Sequence, residues 1–260
     1  MVVYYENSKG EILNLLKKPY RTVEADWYDS DWDESATGYE KKINIDVFGN
    51  RAEFVDNMEN LYRIIAVDSE VGVYGRLYVN GSYLRCKILK SKKSSWKGYV
   101  FSEVEMIFYA PALEWVEESR KSFFPQQEET SVGGFNYPFN YPFNYTASKR
   151  GVSQWEVDYI IPSDFHMIIY GPCVNPRILV NGYPYEVLTS LERNEYLVID
   201  SANSTVTKYS ANGITMNLFD NRGYEHSVFE KLPTGLLTFN WSGDFGFDII
   251  LYRVRREAKW

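Results

Sequence analysis

Residues 177–200 read RILVNGYPYEVLTSLERNEYLVID, and their spacing decides the architecture. Three apolar runs, RILV, YEVLTSL and EYLVID, are too short for stable helices and are rich in β-branched and tyrosine side chains, so they read as strands. Asn181-Gly182 between the first two is the dipeptide that a two-residue hairpin turn selects. The same pattern extends both ways. SQWEVDYII and FHMIIYG precede the stretch; TVTKY, TMNLF, LLTFNW and FDIILYRVR follow it, with turn residues at close intervals. A long series of short strands of this kind predicts a β-sandwich for the C-terminal half.

The N-terminal half is also β-rich but carries one helical signal. VVYYENSKGEILNL reads as a hairpin turning through residues 7–10, and strands are expected over residues 20–27 and 39–48 on either side of a polar, acidic loop. Asn50 and Glu53 have the spacing of a capping box, and Phe54, Met58, Leu61 and Ile65 recur at helical intervals, which predicts one helix with an apolar stripe against a sheet. RLYVNGSYLRCKI then repeats the Asn-Gly hairpin at Asn80-Gly81. A basic turn, SKKSSWKG, leads into the strand YVFSEVEMIFYA. Residues 117–134, EESRKSFFPQQEETSVGG, shift to charged, polar and glycine-rich composition, as linkers do. The expected organisation is therefore a sandwich with a helix over residues 1–118, a linker over 119–134 and a second sandwich over 135–260.

The second region opens with GFNYPFNYPFNYT at residues 134–146. Pro138 and Pro142 exclude a helix. In an extended chain Phe135, Tyr137, Phe139, Tyr141, Phe143 and Tyr145 share one face, while both prolines silence the same backbone edge. The phrase is expected to be an edge strand that anchors the second domain through its rings, or that meets another subunit.

Composition limits the function. The chain has 260 residues, 45% apolar and 17% aromatic, with 22 tyrosines, as a folded β-protein would. Its 28 basic and 35 acidic side chains give a net charge of −7, which argues against nucleic acid or an anionic membrane as partner. No apolar run approaches a membrane span, and the first residues lack the pattern of a secretory signal. Cys86 and Cys173 are expected to be free thiols of a chain folded in a reducing compartment.

The residues offer little catalytic chemistry. In DWYDSDWDESATGYE, Asp29, Asp31 and Asp33 alternate and Glu40 stands where a calcium loop places its twelfth ligand. Glu34 occupies the position that needs glycine, and strands rather than helices flank the loop, so no metal is assigned and a solvated acidic loop is the simpler reading. The same carboxylates would serve a glycosidase, with Trp27 and Trp32 as sugar platforms, only if two of them faced each other across a cleft. His166, within FHMIIY, reads as a hydrogen-bonded strand histidine, and His226 as an exposed turn residue. No nucleophile elbow, phosphate loop or dinucleotide fingerprint occurs. The expectation is a protein without enzymatic activity or cofactor.

The order GRLYVNGSYLRCKILKSKKSSW, MIFYAPALEW, FNYPFNYPFNY, GPCVNPRILVNG, EYLVIDS, ANGITMNLF, FEKLPTG and FDIILYRVRR resembles the distal tail (Dit) proteins of long-tailed bacteriophages over nearly the whole chain. That resemblance implies an N-terminal β-sandwich with a helix, a galectin-like C-terminal β-sandwich, and a homohexameric ring formed by the N-terminal domain at the distal end of the tail. Such a hub joins the tail tube protein to the tail-tip or tail-associated protein and in some phages carries receptor-binding proteins. It would be made in the host cytoplasm and built into the virion. The alternative is a carbohydrate-binding module for host-surface glycans, using Trp27, Trp32 or Trp96. Larger relatives insert carbohydrate-binding domains for which this chain has no room.

Overall fold

The computed structural model describes residues 1–29, 31–126 and 151–260. The chain divides into two compact units, Met1–Glu117 with Val254–Trp260, and Glu118–Arg253. Each has its own apolar core and each is built of antiparallel strands, as two β-sandwiches.

The first unit contains β1 (Val3–Glu6), β2 (Ile12–Asn14), β3 (Tyr20–Arg21), β4 (Asp33–Ser35), β5 (Gly38–Phe48), helix α1 (Arg51–Val71), β6 (Gly75–Val79), β7 (Ser82–Lys97), β8 (Phe101–Ala110) and the start of β9 (Trp115–Phe123). β7 is long enough to serve two sheets. Its first residues pair with β6 and β9, and from Lys87 onward it pairs with β8, which pairs in turn with β5. Alternation puts Leu84, Cys86 and Ile88 of β7, Met106 and Phe108 of β8, and Ile43, Ile45 and Val47 of β5 on the inner side. α1 begins with the predicted capping box: the Asn50 side chain accepts from the Ala52 and Glu53 amides, and Glu53 accepts from the Asn50 amide. It ends at Gly72, whose φ of 75° is the left-handed conformation of a C-terminal glycine. Phe54, Leu61, Ile64 and Ile65 are buried and Met58 is partly buried against the same core.

The second unit contains the remainder of β9, then β10 (Gly151–Val157), β11 (Asp164–Tyr170), β12 (Cys173–Val174), β13 (Arg177–Val180), β14 (Tyr183–Glu186), β15 (Ser190–Leu191), β16 (Tyr196–Asp200), β17 (Thr205–Tyr209), β18 (Thr215–Asn217), β19 (Gly235–Trp241) and β20 (Phe247–Arg255). One layer runs β18-β17-β16-β11-β20-β9 and the other β10-β19-β13-β14. Between them lie Phe165, Ile178, Ile199, Phe239 and Phe247, all fully buried. Asn181, with φ 50°, and Gly182, with φ 86°, form the hairpin turn between β13 and β14 that their dipeptide predicts.

Four local expectations change. Residues 119–123, expected in a linker, are β-strand, and Phe123 lies in the second core, stacked on Phe247 at 4.4 Å and tilted against Phe239 at 4.5 Å. Charged outward residues gave this segment its linker-like composition, but its inward positions still have core to fill. The basic stretch 91–97 is strand rather than turn, because its lysines and serines pair with β8. Residues 22–27 leave the strand expected there and form a short 3-10 turn, Ala25–Trp27. Finally, Val254–Trp260 belongs to the first unit, where Ala258 is buried and Lys259 ion-pairs with Glu117 at 2.5 Å.

Candidate functional site

The aromatic phrase at Phe135, Tyr137, Phe139, Tyr141, Phe143 and Tyr145 lies outside the described residues. The acidic loop does not. Asp26, Asp29, Asp31, Asp33 and Glu40 line a shallow pocket of about 270 Å³ with Lys41, Lys42 and Asn44. Lys41 projects toward the core from β5 and its Nζ donates to the Asp29 carbonyl at 2.8 Å. Burial lowers the pKa of this ammonium, and the nearby Asp29, Asp26 and Asp31 carboxylates pull it back up. Asp29, Asp31 and Asp33 are exposed and Glu40 is half-buried. Among the described residues no three His, Cys, Asp or Glu side chains converge as metal ligands would. The lysines inside the cluster make it a surface of mixed charge with acidic excess.

The proposed sugar platforms separate. Trp27 is a core residue, 4% exposed, with its Nε1 donating to Thr22 Oγ1 at 2.7 Å and its ring edge-on to Phe108 at 5.6 Å. This corrects its reading as a platform: the 3-10 turn rotates the indole inward, where its N–H finds a buried acceptor. Trp32 is partly buried against the same core. Trp96 is 50% exposed, but Phe54 and Tyr99 meet it edge-on. His166 has both ring nitrogens engaged, Nε2 with Asp200 at 2.8 Å and Nδ1 with the Tyr252 hydroxyl at 2.8 Å, as a satisfied strand histidine. His226 is exposed and lies edge-on to Tyr183. Cys86 and Cys173 are free; burial pushes the Cys173 thiol up to about 11, which leaves it protonated and weakly nucleophilic at neutral pH.

A surface that sequence reading missed lies on the outer side of β1, β6 and the first half of β7. Tyr4, Tyr78 and Tyr83 stand side by side across β1, β6 and β7, with ring centroids 4.6 Å and 5.5 Å apart. Arg76 and Arg85 are directly opposite each other on β6 and β7. Like charges in that position repel, but Glu6 of β1 stands directly opposite Arg76 on its other side, and the guanidiniums lie over different rings, Arg76 over Tyr83 at 4.8 Å and Arg85 over Tyr74 at 5.1 Å. Lys87 rests near Tyr74 and Tyr109, at 5.3 Å and 5.8 Å. The only sequence signal was alternation: positions 74, 76, 78 and 83, 85, 87 all carry Tyr, Arg or Lys on the side opposite the core.

On the other sheet, which β7 shares with β8 and β5, the outer side changes sign across the strands. Lys87 pairs with Tyr109, Tyr109 with Glu40 and Glu40 with Asp33, so one row of side chains runs from cationic β7 to acidic β4. With strands about 4.8 Å apart, the two ends of this row are about 14 Å apart.

No family model matches the chain, and no curated protein does. Solved structures do match in fold. A chain of the phage P2 baseplate in its activated conformation with calcium is 12% identical, with a TM-score of 0.56 over 99% of this chain and 100% of that one. A second P2 baseplate structure, with strontium, gives 13% identity and 0.56 over 99% of both chains. The Dit protein (gp 19.1) of phage SPP1, described as a hub of the adsorption apparatus in phages infecting Gram-positive bacteria, gives 8% identity and 0.53 over 98% of both. The shared fold spans both units from end to end.

Proposed function

From a fold shared along its full length with phage baseplate and Dit hub chains, we propose that this protein is a structural subunit of a phage tail. Six copies close into a ring at the distal end of the tail and join the tail tube to the tail-tip proteins below it. The observation that carries this reading is end-to-end coverage: both sandwiches, in the same order, account for 98–100% of each matched chain. A common single-domain sandwich would match one unit and leave the other out. The acidic pocket holds its own lysines, and His166 is engaged through both ring nitrogens, which supports a role in assembly.

A ring subunit needs two unlike surfaces, each covered by a neighbour. Tyrosine and arginine are the residue types that dominate such contacts, and the outer face of the first unit is rich in both. The direct test is immunogold labelling of virions with antibody raised against this chain. Label at the distal tip of the tail is expected; label on capsids, or on no particle at all, would overturn the reading.

A further inference from the structure

We propose that a pocket in the connection between β18 and β19 of the second unit binds an anionic saccharide, a sugar that carries a phosphate or carboxylate group. The site belongs to a single chain and does not depend on closure of a ring. Its volume is about 390 Å³, within the range of small-ligand sites. Phe219, Tyr224 and Phe229 form its apolar walls, and Arg222, His226 and Ser204 are its polar groups.

Charge is the first observation. In a chain of net charge −7, no carboxylate side chain is among the described residues that line this pocket. Asp220 and Glu225 flank it in sequence and Glu186 stands beside Gly223, yet Arg222 ion-pairs with none of them. Arg222 is half-buried, and its internal hydrogen bond goes to the neutral Phe219 carbonyl, whereas Arg63 and Arg120 pair with Glu11 and Asp248. An anion entering the pocket therefore meets a guanidinium whose charge the chain itself leaves unpaired, and gains charge-assisted hydrogen bonds from it. Second, that guanidinium is held in place. It lies 3.7 Å above the Phe219 ring and 5.6 Å from Tyr224, and Phe219 stacks in turn on Phe229 at 5.9 Å. A planar fork fixed in advance loses little freedom when it binds. Third, Tyr224 is 74% exposed, but its hydroxyl donates to the Asp220 carbonyl at 2.7 Å, which fixes its ring as an apolar plate beside the arginine. The C–H face of a sugar ring packs on such a plate. His226 and Ser204, which make no side-chain hydrogen bond to another described residue, can both donate to and accept from sugar hydroxyls. Arg222 already covers a face of Phe219, so Tyr224 is the ring left open and the pocket offers no pair of plates to sandwich a planar base.

The test is isothermal titration of the full chain with glucose 6-phosphate and with glucuronate, against glucose, inorganic phosphate and uridine monophosphate as controls. At least one of the two acidic sugars should bind with a Kd of about 1 mM or tighter, and each control should bind roughly tenfold more weakly or worse. Arg222→Gln should weaken the acidic sugar by roughly tenfold or more, because it removes a charged donor. Arg222→Lys, which keeps the charge without the fork, should fall between that variant and wild type. Tyr224→Ala should weaken the sugar while leaving inorganic phosphate unchanged. Thermal melting checks that each variant folds, and if Arg222→Gln does not, the Arg222→Lys titration decides. No binding of either acidic sugar, or undiminished binding to both Arg222 variants, would overturn the assignment. So would any control that binds as tightly as the acidic sugar: inorganic phosphate would make this a bare anion site, glucose a neutral-sugar site, and uridine monophosphate a nucleotide site.

Discussion

Tyr5→Phe probes the contact that ties α1 to the N-terminal hairpin. Tyr5 and Asp68 are both fully buried, and the Tyr5 hydroxyl donates to Asp68 Oδ2. Burial, and then the Asp68 bond, push the phenol far above its ordinary pKa, so it remains a donor at any working pH. The other Asp68 oxygen, Oδ1, accepts from the Ser8 amide at 2.9 Å. Removing one hydroxyl therefore leaves Oδ2 without that donor in a site closed to water. Hydrogen bonds to charged groups contribute about 1.5–3 kcal/mol, so the first unit should lose roughly 2 kcal/mol. With a urea dependence of about 2 kcal/mol/M, its midpoint should fall by about 1 M. Urea unfolding followed by tryptophan fluorescence measures this, since Trp27 and Trp115 lie in the same core. A midpoint within about 0.2 M of wild type would show that the hydroxyl does not hold the helix in place.

The other expectations are local. Gly151→Ala would place a Cβ within the Trp241 indole, so the second unit should lose about 1–3 kcal/mol, measurable by near-ultraviolet circular dichroism on denaturation. Trp27→Ala should cost the first unit about 3–5 kcal/mol as a core truncation; a variant of unchanged stability would restore Trp27 as a surface residue. Acid should weaken the second unit. Burial raises the Asp200 and Asp248 pKa values, but hydrogen bonds from Asn203 to Asp200, and from Ser122, Arg120 and Tyr170 to Asp248, outweigh it and hold both below the usual carboxylate range. Their stabilisation is complete above the unfolded carboxylate pKa, about 3.9, and disappears as pH falls through the lower folded values. Thermal melting from pH 5 to pH 2 should show that decline, and Asp248→Asn should flatten part of it.

What the sequence made legible is what short-range rules control. The capping box at Asn50 and Glu53 is a contact between residues three apart, and both Asn-Gly turns require only that two adjacent residues accept positive φ. Strand alternation likewise exposes its inner face in the order of residues. What stayed hidden depends on partners distant in sequence. Phe123 looked like part of a linker because the strand it pairs with lies at the far end of the chain. Residues 254–260 follow the second unit in sequence yet pack in the first, through Ala258 and the Lys259–Glu117 pair. Trp27 and Trp32 looked equivalent as exposed aromatics until the 3-10 turn buried one of them. The tyrosine-arginine face was invisible because it emerges only when three strands align in register. Of the carboxylates singled out as a candidate site, Asp29, Asp31, Asp33 and Glu40 do gather, but around lysines, which suits a contact surface better than a cation.

The proposed closed ring is tested most directly by native mass across a dilution series. A species near six times 30.4 kDa, roughly 180 kDa and stable to dilution, is the predicted result. A single species of 30.4 kDa at every concentration would contradict it.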